Sequence, residues 1–475
     1  MANINGDLKE TIVLGESSQG HELRGNLLRV TRYLAVFEIY NPNLVLAVSE
    51  VISGFKIVMN DTTIYSGSAV LSSVLQTASM LVCEAKLDET AFTLRSFEPG
   101  AAPAEARAGF DQFFLQWQNL YRVEPEFKVA VADMQTFLTD LRLWLEQLEL
   151  EIRAAPSGDR HEVEKKAVQE IGRSVVPAFD VMHERLERIS SQIQEDLRPV
   201  HQNFAKRLLH PLLLCSPFGY RTFNKPLGYA GDYEMVNMIA RDPFEGSSAF
   251  AKVVNFWFLS QWPARAHRNR ITYLKETLTK EAMRAARDNR PMRVLNLGCG
   301  PAWEIQEFLA TEKLSDLAQF TLLDFNVETI EHVTRALEGI RQQHGRSTRI
   351  QVQKKSVQQL LKEAAKPMVS NPNGKFDFIY CAGLFDYLPD RTCKMLMNIF
   401  YDWVAPGGLV VATNVADTQP FRHMLEFVLD WHLIYRNTRR AAALVPDRAP
   451  RDEQHIFSDP TAVNLFIEAR KPTNG

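Results

Sequence analysis

The sequence predicts a multidomain protein. A small antiparallel β-barrel or sandwich comes first, an α-helical segment follows, and a mostly parallel α/β sheet covered by helices closes the chain. Three observations carry this. From about Arg24 to Leu87 the chain runs in short stretches rich in Val, Ile, Tyr and Phe. From about Phe110 to Leu214, Leu, Trp and Ile recur at three- and four-residue spacing. From about Phe218 onward, apolar runs alternate with amphipathic stretches. The expected division is 1–100, 101–215 and 216–475, and a chain of 475 residues is too long for one ordinary core.

Within the first part, "RYLAVFEIY", "FKIVMND", "TTIYSGSAVLSSVLQ" and "SMLVCEAKL" read as strands, with Asn41-Pro42 and Asn60-Asp61 as turns. "SFEPGAAPAEA", Ser96 to Ala106, reads as a linker. In the second part, "MQTFLTDLRLWLEQLELEI" and "VVPAFDVMHERLERISSQI" read as helices interrupted by "APSGDR". They predict a hairpin or bundle that packs on a neighbour or forms a homodimer. In the third part the candidate strands are "RVLNLGC", "QFTLLDF", "RIQVQKKS", "FDFIYCAG", "GLVVATNV" and "VNLFIEAR".

Composition narrows the function. With 45% hydrophobic and 23% charged residues the chain has the make-up of a globular protein. A net charge of -3 gives no global reason to bind nucleic acid or an anionic membrane. No signal peptide and no apolar run of spanning length is visible. The five cysteines are scattered without a CxxC pair, which argues against a zinc site and a disulfide framework. The expectation is a cytoplasmic enzyme without a metal.

"VLNLGCGPAWE", Val294 to Glu304, is an apolar strand that stops at Gly298-Cys299-Gly300. Glycines at the end of a first parallel strand let the chain turn tightly and let a ligand approach bare backbone. Trp303 stands where GxGxxG would place its third glycine, which weighs against a dinucleotide's pyrophosphate, and no Gly-Lys-Ser/Thr is present. The next strand ends on Asp324, where a carboxylate can accept both hydroxyls of a ribose. A ribose acceptor without a phosphate cradle implies a nucleoside lacking phosphates.

"VLNLGCGPAWE", "LLDFN", "FDFIYCAGLFDYL" and "VAPGGLVVATNV", in that order, resemble the successive motifs of class I S-adenosylmethionine-dependent methyltransferases, over about Arg293 to Lys471. The resemblance implies a Rossmann-like domain with S-adenosylmethionine as cofactor. Gly298 and Gly300 would pass under its amino-acid end, and Asp324 would hold the ribose with Asn326 beside it. Ser356 and Val357 would border the adenine, and Cys381, Ala382 and Gly383 would lie near the sulfonium. Ser356 departs from the family, which is usually acidic at that position. "CAGLFDYLPD" replaces the Asn/Asp-Pro-Pro-aromatic of enzymes that methylate bases, so DNA and RNA are not expected acceptors.

Upstream, "NKPLGYAGDYEMVNMI" gathers Tyr229, Asp232, Tyr233 and Glu234 around two glycines. These are candidates for a catalytic lid, and equally for a helix cap starting at Asp232. In "FWFLSQWPARAHRNR", Arg265, His267, Arg268 and Arg270 form either a clamp for a carboxylate or, more often for such runs, a solvated helix face. Together with the leading β domain, "KPLGYAGDYEMVNMI" is similar to bacterial extracellular-factor 3-hydroxypalmitic acid methyl ester synthases. That resemblance implies a fatty carboxylate as acceptor and a quorum signal as product. It places apolar walls around Phe256 to Trp262 and on a long apolar helix "FRHMLEFVLDWHLIYR", with His432 and Tyr435 as polar contacts. Other O- or N-acceptors of a metabolite or protein, and a non-catalytic signalling adaptor, stay open.

The N-terminal strands resemble a PilZ domain, the barrel that binds cyclic di-GMP. Arg24, Arg29 and Arg32 stand at other spacings than its RxxxR, and "VLQTASMLV" replaces its second motif. A PilZ-like barrel that does not bind the dinucleotide and serves as a dimer or partner surface is expected.

Overall fold

The computed structural model describes residues 11–39, 44–59, 62–76, 81–92, 123–154, 160–364 and 376–473. The expected linker at Ser96 to Ala106, the turns at Asn41-Pro42 and Asn60-Asp61, and most of the "APSGDR" break lie outside the described residues.

Strands β1 (Thr11–Glu16), β2 (Glu22–Val30), β3 (Leu34–Ile39), β4 (Val51–Met59), β5 (Thr62–Gln76) and β6 (Leu81–Leu87) close into an antiparallel barrel in the order β1-β2-β3-β6-β5-β4. Strict alternation of burial along β3 and β6 is the two-residue period of a strand with one face inward. Phe37, Phe55 and Tyr65 fill the interior. Strand β1, and β2 in its first residues, precede the Arg24 start read from sequence. "TIVLGE" and "ELRGNLLRV" mix glycine and charge into the pattern, and closure of the barrel rather than propensity makes them strands.

Helices α1 (Pro125–Ala154) and α2 (Arg160–Ser190) pack against each other, and α3 (Arg198–Leu213) joins them. Short helices α4 (Pro217–Asn224), α5 (Tyr233–Ala240) and α6 (Ala249–Ser260) lead to the long α7 (Trp262–Arg287). One apolar core runs from Phe127 and Leu138 on α1 through Phe179 on α2 and Trp257 on α6 to Phe427 and Trp431. The Trp257 ring stacks on Phe179 at 3.7 Å, and its N–H donates to Asp180 at 2.9 Å.

The C-terminal sheet has the order β12-β13-β11-β10-β7-β8-β9. It is built from β7 (Met292–Leu297), β8 (Ala318–Asp324), β9 (Arg349–Lys354), β10 (Phe376–Cys381), β11 (Val404–Val415), β12 (Gln454–Ser458) and β13 (Asn464–Arg470). From β9 to β11 the pairings are parallel, whereas β13 runs antiparallel to both β11 and β12. Helices α8 (Trp303–Thr311), α9 (Val327–Gln343), α10 (Val357–Ala364) and α11 (Asp390–Trp403) connect the parallel strands. The chain steps from β7 to β8 on one side and later returns to β10 on the other, so the switch point of the sheet lies between β7 and β10.

Two readings are corrected. The edge strand β12 was not expected; its side chains are half-buried or exposed, so "QHIFS" carries no buried apolar run to announce it. "FRHMLEFVLDWHLIYR" is not one long helix. Helix α12 (Arg422–Phe427) stops, Asp430 takes a left-handed conformation (φ 49°), and the chain continues without helix to α13 (Thr438–Ala443). His423 to His432 are all buried, so apolar residues fall on every side and their spacing reports no helical face.

The barrel docks on the rest of its own chain. The Val51 N–H donates to the Gly228 carbonyl at 2.7 Å, the Val48 N–H to that of Tyr387 at 3.2 Å, and the Ser49 hydroxyl to that of His432 at 2.7 Å. Asp430 accepts from Lys86 of the barrel at 3.0 Å and from Lys206 of α3 at 2.9 Å. Among the described residues no helix is long and apolar enough to cross a membrane, and no cluster of side chains is arranged to hold a metal ion.

Trp257→Ala should lower the unfolding free energy by about 3–5 kcal/mol, since it removes a buried ring that joins the helices to the later chain. Denaturant unfolding followed by circular dichroism measures this.

Candidate functional site

At the carboxyl ends of β7 and β10 a cavity opens under the barrel. Its floor is the turn after β7. Gly298 (φ 69°) and Gly300 (φ 52°) both take the left-handed conformation that glycine adopts without penalty. The N–H groups of Gly298 and Cys299 donate to the Leu323 carbonyl at 2.8 and 3.1 Å, which ties the turn to the end of β8. A Cβ at Gly300 would meet no atom within 4 Å, so bare backbone faces open space there. Ala302 is also left-handed (φ 53°), where α8 begins.

Asp324 stands beside this turn at the end of β8. Its carboxylate accepts the Gly300 N–H at 3.2 Å and the Asn326 N–H at 3.0 Å. Burial pushes the carboxyl up to about 6, against the opposing pull of these backbone donors.

Across the cavity Arg270, on α7, is 7% exposed and finds no hydrogen-bond acceptor among the described residues. Gly383 (φ 85°) makes room for it, because a Cβ there would lie 3.0 Å from the guanidinium. Burial draws the guanidinium pKa down, while the carboxylates of Asp386 and Glu304 oppose this. Glu304 is itself engaged, accepting the Tyr380 hydroxyl at 2.6 Å, and burial raises its pKa. Asp386 accepts the Val415 N–H at 2.6 Å and is raised by burial too. Arg270 is therefore a buried cation whose neighbouring acids are weakened and occupied. That is a standing attraction for an anionic group in the cavity.

Of the residues singled out from sequence, Tyr229, Tyr233, Gly298, Gly300, Asp324, Val357, Ala382 and Gly383 line the cavity. Asp232, Asn326, Ser356 and Cys381 sit behind the wall. Asp232 caps α5 by accepting the Met235 N–H at 2.8 Å and is bound by Arg221 at 2.8–3.0 Å, so its oxygens serve the fold. Asn326 caps α9 through Thr329 at 3.0 Å. Ser356 accepts the Gln359 N–H at 3.2 Å, and Cys381 is fully buried in the sheet. The Tyr229 ring lies 5.2 Å from that of Phe325, and burial raises its phenol well above the usual range. Tyr233 packs on His332 at 4.6 Å.

The charged run on α7 divides. Arg265 is exposed over Trp262, Arg268 holds the carbonyls of Ile239 and Leu259, and Arg270 with His267 faces the cavity. The sequence favoured a solvated face, but helical spacing turns Arg270 inward. Phe256, Leu259 and Trp262 line a separate groove rather than this cavity. Trp431 and Leu433, not His432 and Tyr435, reach the wall. Sequence reasoning missed Ser18, Gln19, Val45, Ala47 and Glu50 of the barrel, which also line it. Hundreds of residues separate them from the glycine turn, and no local signal marks them.

Residues 266–461 match a family model described as a methyltransferase domain. No curated protein matches the chain. Among solved structures, a possible exported protein from Bordetella parapertussis is 17% identical with a TM-score of 0.43, covering 67% of this chain and 100% of its own. Magnesium protoporphyrin IX methyltransferase from Synechocystis PCC 6803, with bound SAH, is 9% identical with a TM-score of 0.34, covering 57% and 99%. The N-methyltransferase NodS from Bradyrhizobium japonicum WM9, in complex with S-adenosyl-l-homocysteine, is 14% identical with a TM-score of 0.30, covering 50% and 98%. Residues 266–461 thus carry a methyltransferase domain, built on a Rossmann-like sheet.

Asp232→Ala should cost about 2–4 kcal/mol, because it removes a cap and leaves Arg221 without its carboxylate. Asp232→Asn should recover about 1 kcal/mol of this by keeping the cap. Thermal unfolding of the two variants measures both.

Proposed function

We propose that the protein is an S-adenosylmethionine-dependent methyltransferase that esterifies a small-molecule carboxylate, a 3-hydroxy fatty acid, into a quorum-sensing signal. The observation that carries the cofactor is the pairing of Asp324 with the bared Gly298–Gly300 turn on one cavity wall. Gly298 and Gly300 would hold the amino-acid end and Asp324 the ribose hydroxyls. Lys355 and Val357 would border the adenine, with Ala382 and Gly383 beside the reacting centre. When bound, the cofactor supplies an electrophilic methyl group.

The observation that supports a carboxylate acceptor is Arg270. Its guanidinium can orient a carboxylate, and a carboxylate attacks without first losing a proton. The tyrosines of the wall suit such a reaction, since burial keeps the phenols of Tyr229 and Tyr387 protonated and unfit as bases. An apolar tail has somewhere to go. Across His267, Val415, Trp431 and Leu433 the cavity adjoins a second one, walled by Phe218, Ile239, Phe258, Phe421 and Leu425. Esterification removes the charge of the acid and so suits a molecule that must leave through a membrane.

Incubation with S-adenosylmethionine and 3-hydroxy fatty acids, read by mass spectrometry, should yield products heavier by one methylene. Bound cofactor without ester would discard the fatty acid. Asp324→Ala should weaken S-adenosylhomocysteine binding at least about 100-fold in calorimetry, through loss of charge-assisted hydrogen bonds. Because the Asp324 carboxyl titrates near 6, its ionised fraction falls from about nine-tenths at pH 7 to about one-tenth at pH 5, and affinity should drop about tenfold over that range. Arg270→Met should raise the KM for the acid at least about tenfold and leave S-adenosylhomocysteine affinity within about twofold.

A further inference from the structure

The barrel carries no methyltransferase motif, yet its β1–β2 turn, Ser17 to Gly20, enters the wall of the same cavity through Ser18 and Gln19. This turn is held from three sides. Glu50, 2% exposed, accepts the Ser18 N–H at 2.9 Å and the Ser18 hydroxyl at 2.7 Å through one oxygen, and the Ala47 N–H at 2.9 Å through the other. The Ser17 hydroxyl accepts the N–H groups of Gln19 and His21 at 3.3 and 3.1 Å. Ser18 presses on the loop that carries Tyr229: a Cβ at Gly228 would lie 2.9 Å from its own Cβ.

The Gln19 side-chain oxygen is buried and has no hydrogen-bond partner among the described residues, although the residue lines the cavity. Leaving an amide oxygen both dry and unpaired is costly, and native proteins rarely tolerate it without a ligand or water to relieve it. The Gln19 backbone is held by Ser17, and no described residue satisfies its side-chain oxygen.

We infer that Gln19 accepts a hydrogen bond from an O–H or N–H of the ligand bound in the cavity, so that the N-terminal barrel is part of the binding site. The inference rests on the function proposed above. The donor belongs either to the cofactor, through its hydroxyl or amino groups, or to the acceptor, through a hydroxyl. Whichever it is, the barrel contributes to methyl transfer directly and is not an appended module.

The test uses the full chain as wild type, Gln19→Met, which keeps the size of the side chain, and Gln19→Glu, which keeps the acceptor oxygen. Calorimetry measures S-adenosylhomocysteine alone, and then 3-hydroxydecanoic acid in the presence of saturating S-adenosylhomocysteine. Gln19→Met should weaken one of the two about tenfold, with unfolding temperature unchanged, and Gln19→Glu should restore most of the loss. A loss in the first titration identifies the cofactor as donor, and a loss confined to the second identifies the acceptor. Gln19→Ala replaces Gln19→Met if the latter unfolds early. Wild-type affinity for both ligands in Gln19→Met, or equal damage in Gln19→Glu, overturns the inference alone. Wild-type protein that binds neither ligand overturns the proposed function and this inference with it.

Discussion

One buried carboxylate holds three parts of this molecule together. Asp430 sits in a left-handed turn just past α12 and takes Lys86 from the barrel and Lys206 from α3. Lys225, just past α4, adds its charge nearby and donates to the carbonyl of Leu429 at 3.3 Å. The three ammonium groups hold the carboxyl well below its usual range in spite of its burial. A buried pair adds little over an apolar contact, but removing one member strands the others without a counter-charge. The cluster joins the barrel, α3 and the segment after α12 at one buried point. With the bonds from Val48, Ser49 and Val51 it docks the barrel beside the cavity that the β1–β2 turn lines.

The cavity follows from that docking combined with the switch point of the sheet. The sheet alone would leave the glycine turn and Asp324 at an open edge, as the carboxyl ends of parallel strands always are. The barrel, the loop carrying Tyr229 and the segment around Trp431 cover that edge from above. Covering it dries the site, and drying sets the protonation of each group in it. Asp324 is pushed up to about 6, Tyr229 and Tyr387 stay protonated, and Arg270 has no hydrogen-bond acceptor among the described residues. Elements far apart in the chain thus share the wall of one cavity, and its buried groups carry shifted protonation.

What was legible in the sequence was whatever repeats locally. The central strands β7, β10 and β11 could be read because they are buried on both faces and appear as nearly unbroken apolar runs. The glycine turn could be read because left-handed backbone favours glycine, and Asp324 because its place at a strand end is a matter of counting. Edge and closure elements were not legible. β1 and β12 are strands because neighbours pair with them, and the segment after α12 is uniformly buried, so its spacing says nothing of its shape. Asp232 illustrates the same limit: the sequence shows an acid beside two tyrosines, and only the packing of Arg221 against it shows which way it faces.

By itself, then, the chain determined its three-part plan, the parallel sheet and the turn at Gly298 to Gly300, all of which depend on periodicity and backbone conformation over a few residues. Tertiary structure alone decided that Arg270 points inward, that Asp232 is a cap, and that Gln19 of the barrel belongs to the same cavity as Asp324. The physical reason is range. Steric and hydrogen-bonding rules act between neighbours in sequence, whereas burial and the charges it leaves unpaired depend on which remote surfaces meet.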